Sequence, residues 1–241
     1  MVDFNFSKTD HYNFKDIFNN PYYYLPDIPD DGGIWEYSRY RYHGMYAVID
    51  NEWVKPLAKW IKNAMNSGDW ECIEVMAGRG WLARALNEQG VEVRASDSGE
   101  DYLHRMNTLE YPSRMIDAVY DIEKKSAEEV VQNINLIKEE EPGKRFIVII
   151  CYPPDSNEDA TKFVRQLPKD TLIVYIGDEE FENTANEDFD KAIIWLSTNE
   201  QHPESYRLDG FPLDAHVEGV GGDEKEENTV NASLLLGIPK K

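Results

Sequence analysis

Residues Phe146 to Cys151, FIVIIC, are apolar at every position. A strand with one wet face alternates polar and apolar residues, whereas a strand with no polar position must be covered on both sides. That demand is met by the central strand of a parallel sheet held between two helix layers. The rest of the chain has the parts for such a sheet. From Glu71 onward, strand-like and helix-like stretches alternate, the pattern of an open, mostly parallel α/β sheet with helices on both faces. Strands are expected over Cys72–Met76, Val91–Ala95, Ala118–Tyr120, Phe146–Cys151 and Thr171–Ile176. Two more, near Ala215–Val220 and Ala232–Ile238, flank the acidic run Asp223–Glu227 and suggest an antiparallel hairpin that closes the sheet edge, giving seven strands.

Helices are expected between the strands. One covers Trp81 to Gln89, with Gly90 as its left-handed cap. A short one lies between Glu100 and Thr108. Ser126 and Glu129 form a capping box that opens a helix with Val130, Val131, Ile134 and Ile137 on one face, ending before Pro142. Ser156 with Asp159 opens another, and a last one runs over Asn186 to Leu196. Upstream, Trp53, Leu57, Trp60, Ile61 and Ala64 follow helical spacing, with Pro56 placed to kink or shift the first turn.

Residues 1–50 show little periodicity but carry Phe4, Phe6, Tyr22, Tyr23, Tyr24, Trp35, Tyr40, Tyr42 and Tyr46. So much aromatic area implies packing, and this segment is expected to be an arm covering a domain formed by residues 51–241. No internal repeat is visible.

The formal net charge of −21 disfavours unassisted binding to nucleic acid. Arg39, Arg41, Lys55, Lys59 and Lys62 form the one candidate basic patch, and a solvated face is the simpler reading. No apolar run approaches the roughly 20 residues that cross a bilayer, and no secretory leader is expected. Cys72 and Cys151 each sit in a strand-like stretch and read as buried reduced thiols, which points to the cytoplasm. His11, His43, His104, His202 and His216 show no metal-ligand spacing, so no metal site is expected.

Between the first strand and its helix lies "EVMAGRGWLA", Glu74 to Ala83. Glycines at a strand-to-helix turn let backbone amides approach a ligand, and the helix N-terminus attracts its anionic or polar groups. Asp97 ends the next strand about 20 residues on, where a carboxylate can accept from both hydroxyls of a ribose. A nucleotide-like ligand follows. Gly78, Gly80 and Ala83 also satisfy the dinucleotide fingerprint, so an NAD-dependent oxidoreductase stays open on these residues alone.

The stretch "IEVMAGRGWLARAL", with Glu74 four residues ahead of Gly78, resembles the first motif of class I S-adenosylmethionine-dependent methyltransferases. "CYPPD", Cys151 to Asp155, stands where that family places substrate-facing residues, and the terminal hairpin resembles its reversed last strand. "YIGDEEFENTANEDF" and "YHGMYAVIDNEW" resemble a small subgroup of the family. The resemblance implies a Rossmann-like sheet and S-adenosyl-L-methionine as cofactor. It implies a cofactor turn at Glu74, Ala77, Gly78 and Gly80, a ribose-binding acid at Asp97 and an adenine contact at Asp121 and Ile122. "CYPPD" is also similar to the motif of amino-methylating nucleic-acid methyltransferases. It departs from that motif where Tyr152 replaces the amide or acid and Asp155 replaces the stacking aromatic, so nucleic acid is an unlikely acceptor. Tyr152 and Asp155 are the candidate catalytic residues, with Asp155 as a base or a binder of a cationic substrate. The acceptor, more a small molecule or a protein, and the oligomeric state are unknown. A binding protein without chemistry, or an acidic mimic of nucleic acid, is the reading from outside enzymology.

Overall fold

The computed structural model describes residues 12–24, 43–45, 47–99, 118–154, 158–178, 184–196, 215–218 and 229–240, with the backbone alone at Tyr22, Asp178, 215–218 and 229–233. The strands are β1 (Trp70–Val75), β2 (Arg94–Asp97), β3 (Ile122–Lys124), β4 (Arg145–Cys151), β5 (Leu172–Asp178), β6 (Ile193–Trp195), β7 (Ala215–Glu218) and β8 (Thr229–Pro239). They form one sheet in the order β3-β2-β1-β4-β5-β8-β6, with β7 also paired to β8. Pairings from β3 across to β5 are parallel, and β8 runs antiparallel to β5, β6 and β7.

The apolar stretch takes the central place its composition demands. β4 lies between β1 and β5, with Ile150 opposite Val75 on one side and Tyr175 on the other. Phe146 to Ile150 are all at most 1% exposed. Successive side chains point to opposite faces of a strand, so Ile147 and Ile149 enter one core and Phe146, Val148 and Ile150 the other.

Helices α1 (Phe14–Asn19), α3 (Asn51–Met65) and α4 (Trp81–Glu88) cover the first face, while α5 (Ala127–Glu140), α6 (Asp159–Gln166) and α7 (Glu187–Lys191) cover the second; α2 is the single turn Pro21–Tyr24. Each amphipathic helix is positioned by local signals. The Asp50 side chain caps α3 by accepting from the Glu52 and Trp53 amides, and Pro56 is carried inside that helix. The capping box of Ser126 and Glu129 is present on α5. Gly90 follows α4 with φ +76°.

Several element boundaries differ from those the sequence suggests. β2 starts at Arg94: Val91 and Val93 are buried, but the Val91 amide donates to the Leu86 carbonyl and closes the helix end. Ala118 and Val119 are likewise buried outside any strand, with the Val119 amide donating to the Arg79 carbonyl; β3 begins only at Ile122. The apolar character of both segments comes from packing under the glycine turn and α4, not from a ladder. The expected helix over Asn186–Leu196 is five residues of α7 followed by β6, because Phe189 and Ile193 share a helix-like spacing while lying in different elements. The seven-strand path therefore includes β6, with β7 as an eighth strand beside it. The expected helix at 100–108 and the acidic run at 223–227 lie outside the described residues.

Among the described residues, the N-terminal segment packs through Tyr12, Phe14, Ile17 and Phe18. Tyr12, Ile17 and Phe18 are buried, whereas Tyr23 and Tyr24 are exposed; Phe4, Phe6, Trp35, Tyr40, Tyr42 and Tyr46 lie outside the described residues. The rings of Tyr12, Phe14 and Phe18 surround Trp81 at centroid distances of 5.5, 6.0 and 6.2 Å. Trp81 Nε1 donates to the His43 carbonyl at 2.7 Å, and the His43 ring meets the Tyr12 hydroxyl at 2.6 Å. Truncating so enclosed an indole leaves a cavity, so Trp81→Ala is expected to cost about 3–5 kcal/mol in urea unfolding followed by fluorescence and circular dichroism.

Candidate functional site

Strand order reverses between β1 and β4: β2 and β3 continue to one side, β4 and β5 to the other. In such sheets the crevice for ligands lies outside the carboxyl ends of the strands at this switch point. The turn 76–80 leaves the carboxyl end of β1 there, Asp97 ends β2, and Tyr152 follows β4.

The turn is tied to β2 by direct bonds. The Ala77 amide donates to the Ser96 carbonyl at 3.0 Å, and the Gly78 amide donates to Asp97 Oδ2 at 2.9 Å. Asp97 Oδ1 accepts from the Gly99 amide at 2.7 Å. Ala77, Gly78, Gly80 and Asp97 are thus gathered at one edge. The two glycines serve different ends. Gly78 adopts φ +55° and presents its amide to Asp97. Gly80 opens α4 at φ +79°, where an added Cβ would lie 2.7 Å from Ile122 Cδ1 and 2.8 Å from Tyr120 Cβ. Its smallness lets the 120–122 segment pack against the turn.

Glu74 sits one residue before the end of β1, only 2% exposed. Its carboxyl accepts from the Ala83 amide of α4, and its Oε2 has no hydrogen-bond partner among the described residues. Burial, with repulsion from Asp97 added, pushes its pKa up to about 8 and outweighs the Ala83 bond. Burial also raises the nearby Cys72 and Cys151 thiols, so neither is a reactive thiolate.

The remaining candidates separate. Asp121 is exposed, and it precedes β3 at the amino edge, the opposite end of the sheet from Asp97. There it lines a cavity of about 540 Å³ together with Trp70, Arg94 and Tyr120. Placing the strand at 118–120 put Asp121 and Ile122 at its carboxyl end; the observed β3 begins at Ile122, so that placement is corrected. Lys124 is the residue paired with Asp97, and the Lys125 amide donates to the Asp97 carbonyl at 3.1 Å. Ile122 reaches the turn from behind, through Gly80.

Tyr152 stands at the carboxyl edge, half-buried, its amide donating to the Ile176 carbonyl at 2.8 Å. Its φ is +52°, and Met76, at the end of β1 beside it, has φ +56°. A non-glycine residue in this region costs on the order of 1–3 kcal/mol and persists only where its surroundings enforce it. Pro153 accepts from the Ala185 amide, and α6 starts at Asp159. Asp155 lies outside the described residues. Met76, Tyr12, His43 and Lys124 were not signalled by the sequence as part of this region: backbone strain at a methionine, or bonds between residues 31 and 38 positions apart, leave no local motif.

Among the described residues, no group of three or more His, Cys, Asp or Glu could hold a metal ion, and no helix is long and apolar enough to cross a membrane. No family model matches the chain, and neither does any curated protein. Solved structures do overlap with it. Magnesium protoporphyrin IX methyltransferase from Synechocystis PCC 6803, with bound SAM, matches at 13% identity over 78% of each chain with a TM-score of 0.38. A SAM-dependent methyltransferase from Archaeoglobus fulgidus matches at 16% identity over 51% of this chain and 54% of its own, with a TM-score of 0.31. An S-adenosylmethionine-dependent methyltransferase from Clostridium acetobutylicum ATCC 824 matches at 11% identity over 77% of this chain and 92% of its own, with a TM-score of 0.37. This chain spans about half the length of the Archaeoglobus protein. Overlaps this slight carry no chemistry from one chain to another.

The Glu74 carboxyl gives a stability test. A carboxyl whose folded pKa is raised binds its proton more tightly in the folded state. Its contribution is therefore fully present below the ordinary value of 4.5 and is lost as pH rises to about 8. Glu74→Gln is expected to remove this dependence. Between those pH values the wild-type protein should lose up to about 5 kcal/mol more than the variant, read from urea midpoints across the range.

Proposed function

We propose that the chain is an S-adenosylmethionine-dependent methyltransferase. The observation that carries the reading is the bond from the Gly78 amide to Asp97 Oδ2, which sets a glycine turn and a carboxylate side by side at the switch point. The donor set suits the cofactor. A carboxylate offers about four acceptor positions on two oxygens, and the Gly78 and Gly99 amides engage one oxygen each. A carboxylate at the end of the second strand is the kind of group that accepts from both hydroxyls of a ribose. Glu74, Ala77, Gly78, Gly80 and Asp97 would hold the cofactor, and Lys124 takes the place first given to Asp121 and Ile122 because it stands next to Asp97.

When bound, the cofactor supplies a methyl group on a sulfonium, activated for in-line displacement. The protein's part is to fix two reactants about 3 Å apart and exclude water, which supplies most of the acceleration in such transfers. Tyr152, held at φ +52° at the mouth of the crevice, is the described residue best placed to contact the acceptor; Asp155 follows it in the chain. The net charge of −21 favours a small molecule or a protein over nucleic acid as acceptor. Cys72 and Cys151 as unpaired thiols fit a reducing, cytoplasmic setting.

Isothermal titration tests the reading. S-adenosylmethionine and its demethylated product should both bind, and Asp97→Ala should weaken both by about 10- to 100-fold, the loss of hydrogen bonds to a charged acceptor. No heat at millimolar cofactor refutes the proposal, and binding of NADH in its place selects the oxidoreductase.

A further inference from the structure

Glu74 is a buried acid with an oxygen to spare. Among the described residues its Oε2 has no hydrogen-bond partner, and it stands under the turn that the cofactor reading assigns to ligand binding. Asp97 acts on it from the end of β2, and the thiols of Cys72 on β1 and Cys151 on β4 lie within its field. Helix α4 contributes the Ala83 amide. In the turn, Arg79 lies against the arm, where a Cβ on Gly44 would meet its Cγ at 2.5 Å; the His43 ring in the same arm is engaged by Tyr12. Among the described residues, none brings Glu74 a positive charge.

A ligand whose ribose is held by Asp97 carries its sulfur one carbon beyond the sugar ring, and Asp97 and Glu74 lie close enough to act on each other. Resting on the methyltransferase reading, we propose that Glu74 reads the charge on that sulfur. It carries a proton in the free protein and beside the neutral thioether of the product, and it releases that proton to solvent when the sulfonium binds. A positive charge within about 4–6 Å lowers a carboxyl pKa by about one to three units, and burial holds the Glu74 carboxyl at about 8 before the ligand arrives. The affinity for the sulfonium then rises with pH through the neutral range, while that for the thioether stays level. Glu74 is in this sense a positioning residue that separates substrate from product.

The test is calorimetry of the full chain near pH 7 in phosphate and in Tris, whose ionisation heats differ. About half to one proton should be released on binding S-adenosylmethionine and close to none on binding the demethylated product. The ratio of product to substrate dissociation constants should rise by up to about tenfold per pH unit between about pH 6 and about pH 8. Glu74→Gln should bind the sulfonium with no proton release. Equal proton counts for the two ligands, or a release that survives in Glu74→Gln, overturns the inference while leaving the methyltransferase reading intact. Failure of either ligand to bind removes both. An independent readout uses the free protein: an infrared band of a protonated carboxyl should persist at pH 7 and vanish in Glu74→Gln, and its absence from the wild type also overturns the inference.

Discussion

β4 must be dry on both sides, and the rest of the arrangement follows from that requirement. A strand with no polar position can be buried only if helices lie over both faces and strands pair along both edges. The chain meets this with α3 and α4 above, α5 and α6 below, and β1 and β5 alongside. Once β1 and β4 are neighbours with β2 on the far side of β1, the connections diverge at their carboxyl ends, where sheets of this kind bind ligands. The candidate site is thus placed by topology before chemistry.

The chemistry comes from what the chain places at that opening. Asp97 is drawn to the turn by the Gly78 amide, which fixes the spacing between two strand ends. Glu74 is buried under the helix that the turn begins, paired on one side by the Ala83 amide. Met76 and Tyr152, both at positive φ, mark the two sides of the crevice as places where the backbone is held against its own preference. Strain, a buried acid and a carboxylate bound to bare amides at one edge are what a ligand site asks for, and the amino edge has no comparable combination among the described residues.

Much of this was readable in the sequence wherever a pattern is local. The unbroken apolar run located β4, the Ser126–Glu129 pair located the start of α5, and the glycine turn and Asp97 were picked out as residues that the fold does bring together. Reading failed where burial and regular structure part company. Val91, Val93, Ala118 and Val119 are apolar because they pack beneath α4 and the turn, and their composition mimics strands they do not form. That substitution displaced β3 by a few residues and carried Asp121 to the wrong end of it. The short β6 was hidden because Ile193 falls at a helical spacing from Phe189. Tyr12 and His43 gave no signal, since what makes them matter is a tryptophan far along the chain.

The clasp on Trp81 also bears on how the molecule assembles. Its bonds join residues 31 and 38 positions apart, while the turn beneath it is closed by contacts of one to three residues and by the adjoining β2. Closing longer loops costs more chain entropy before any contact rewards it, and the sheet's own pairings, such as Trp70 with Arg145, close longer loops than the clasp does. The clasp can therefore close before the sheet is complete, holding the N-terminal segment against the first turn of α4 while the distant strands have yet to meet.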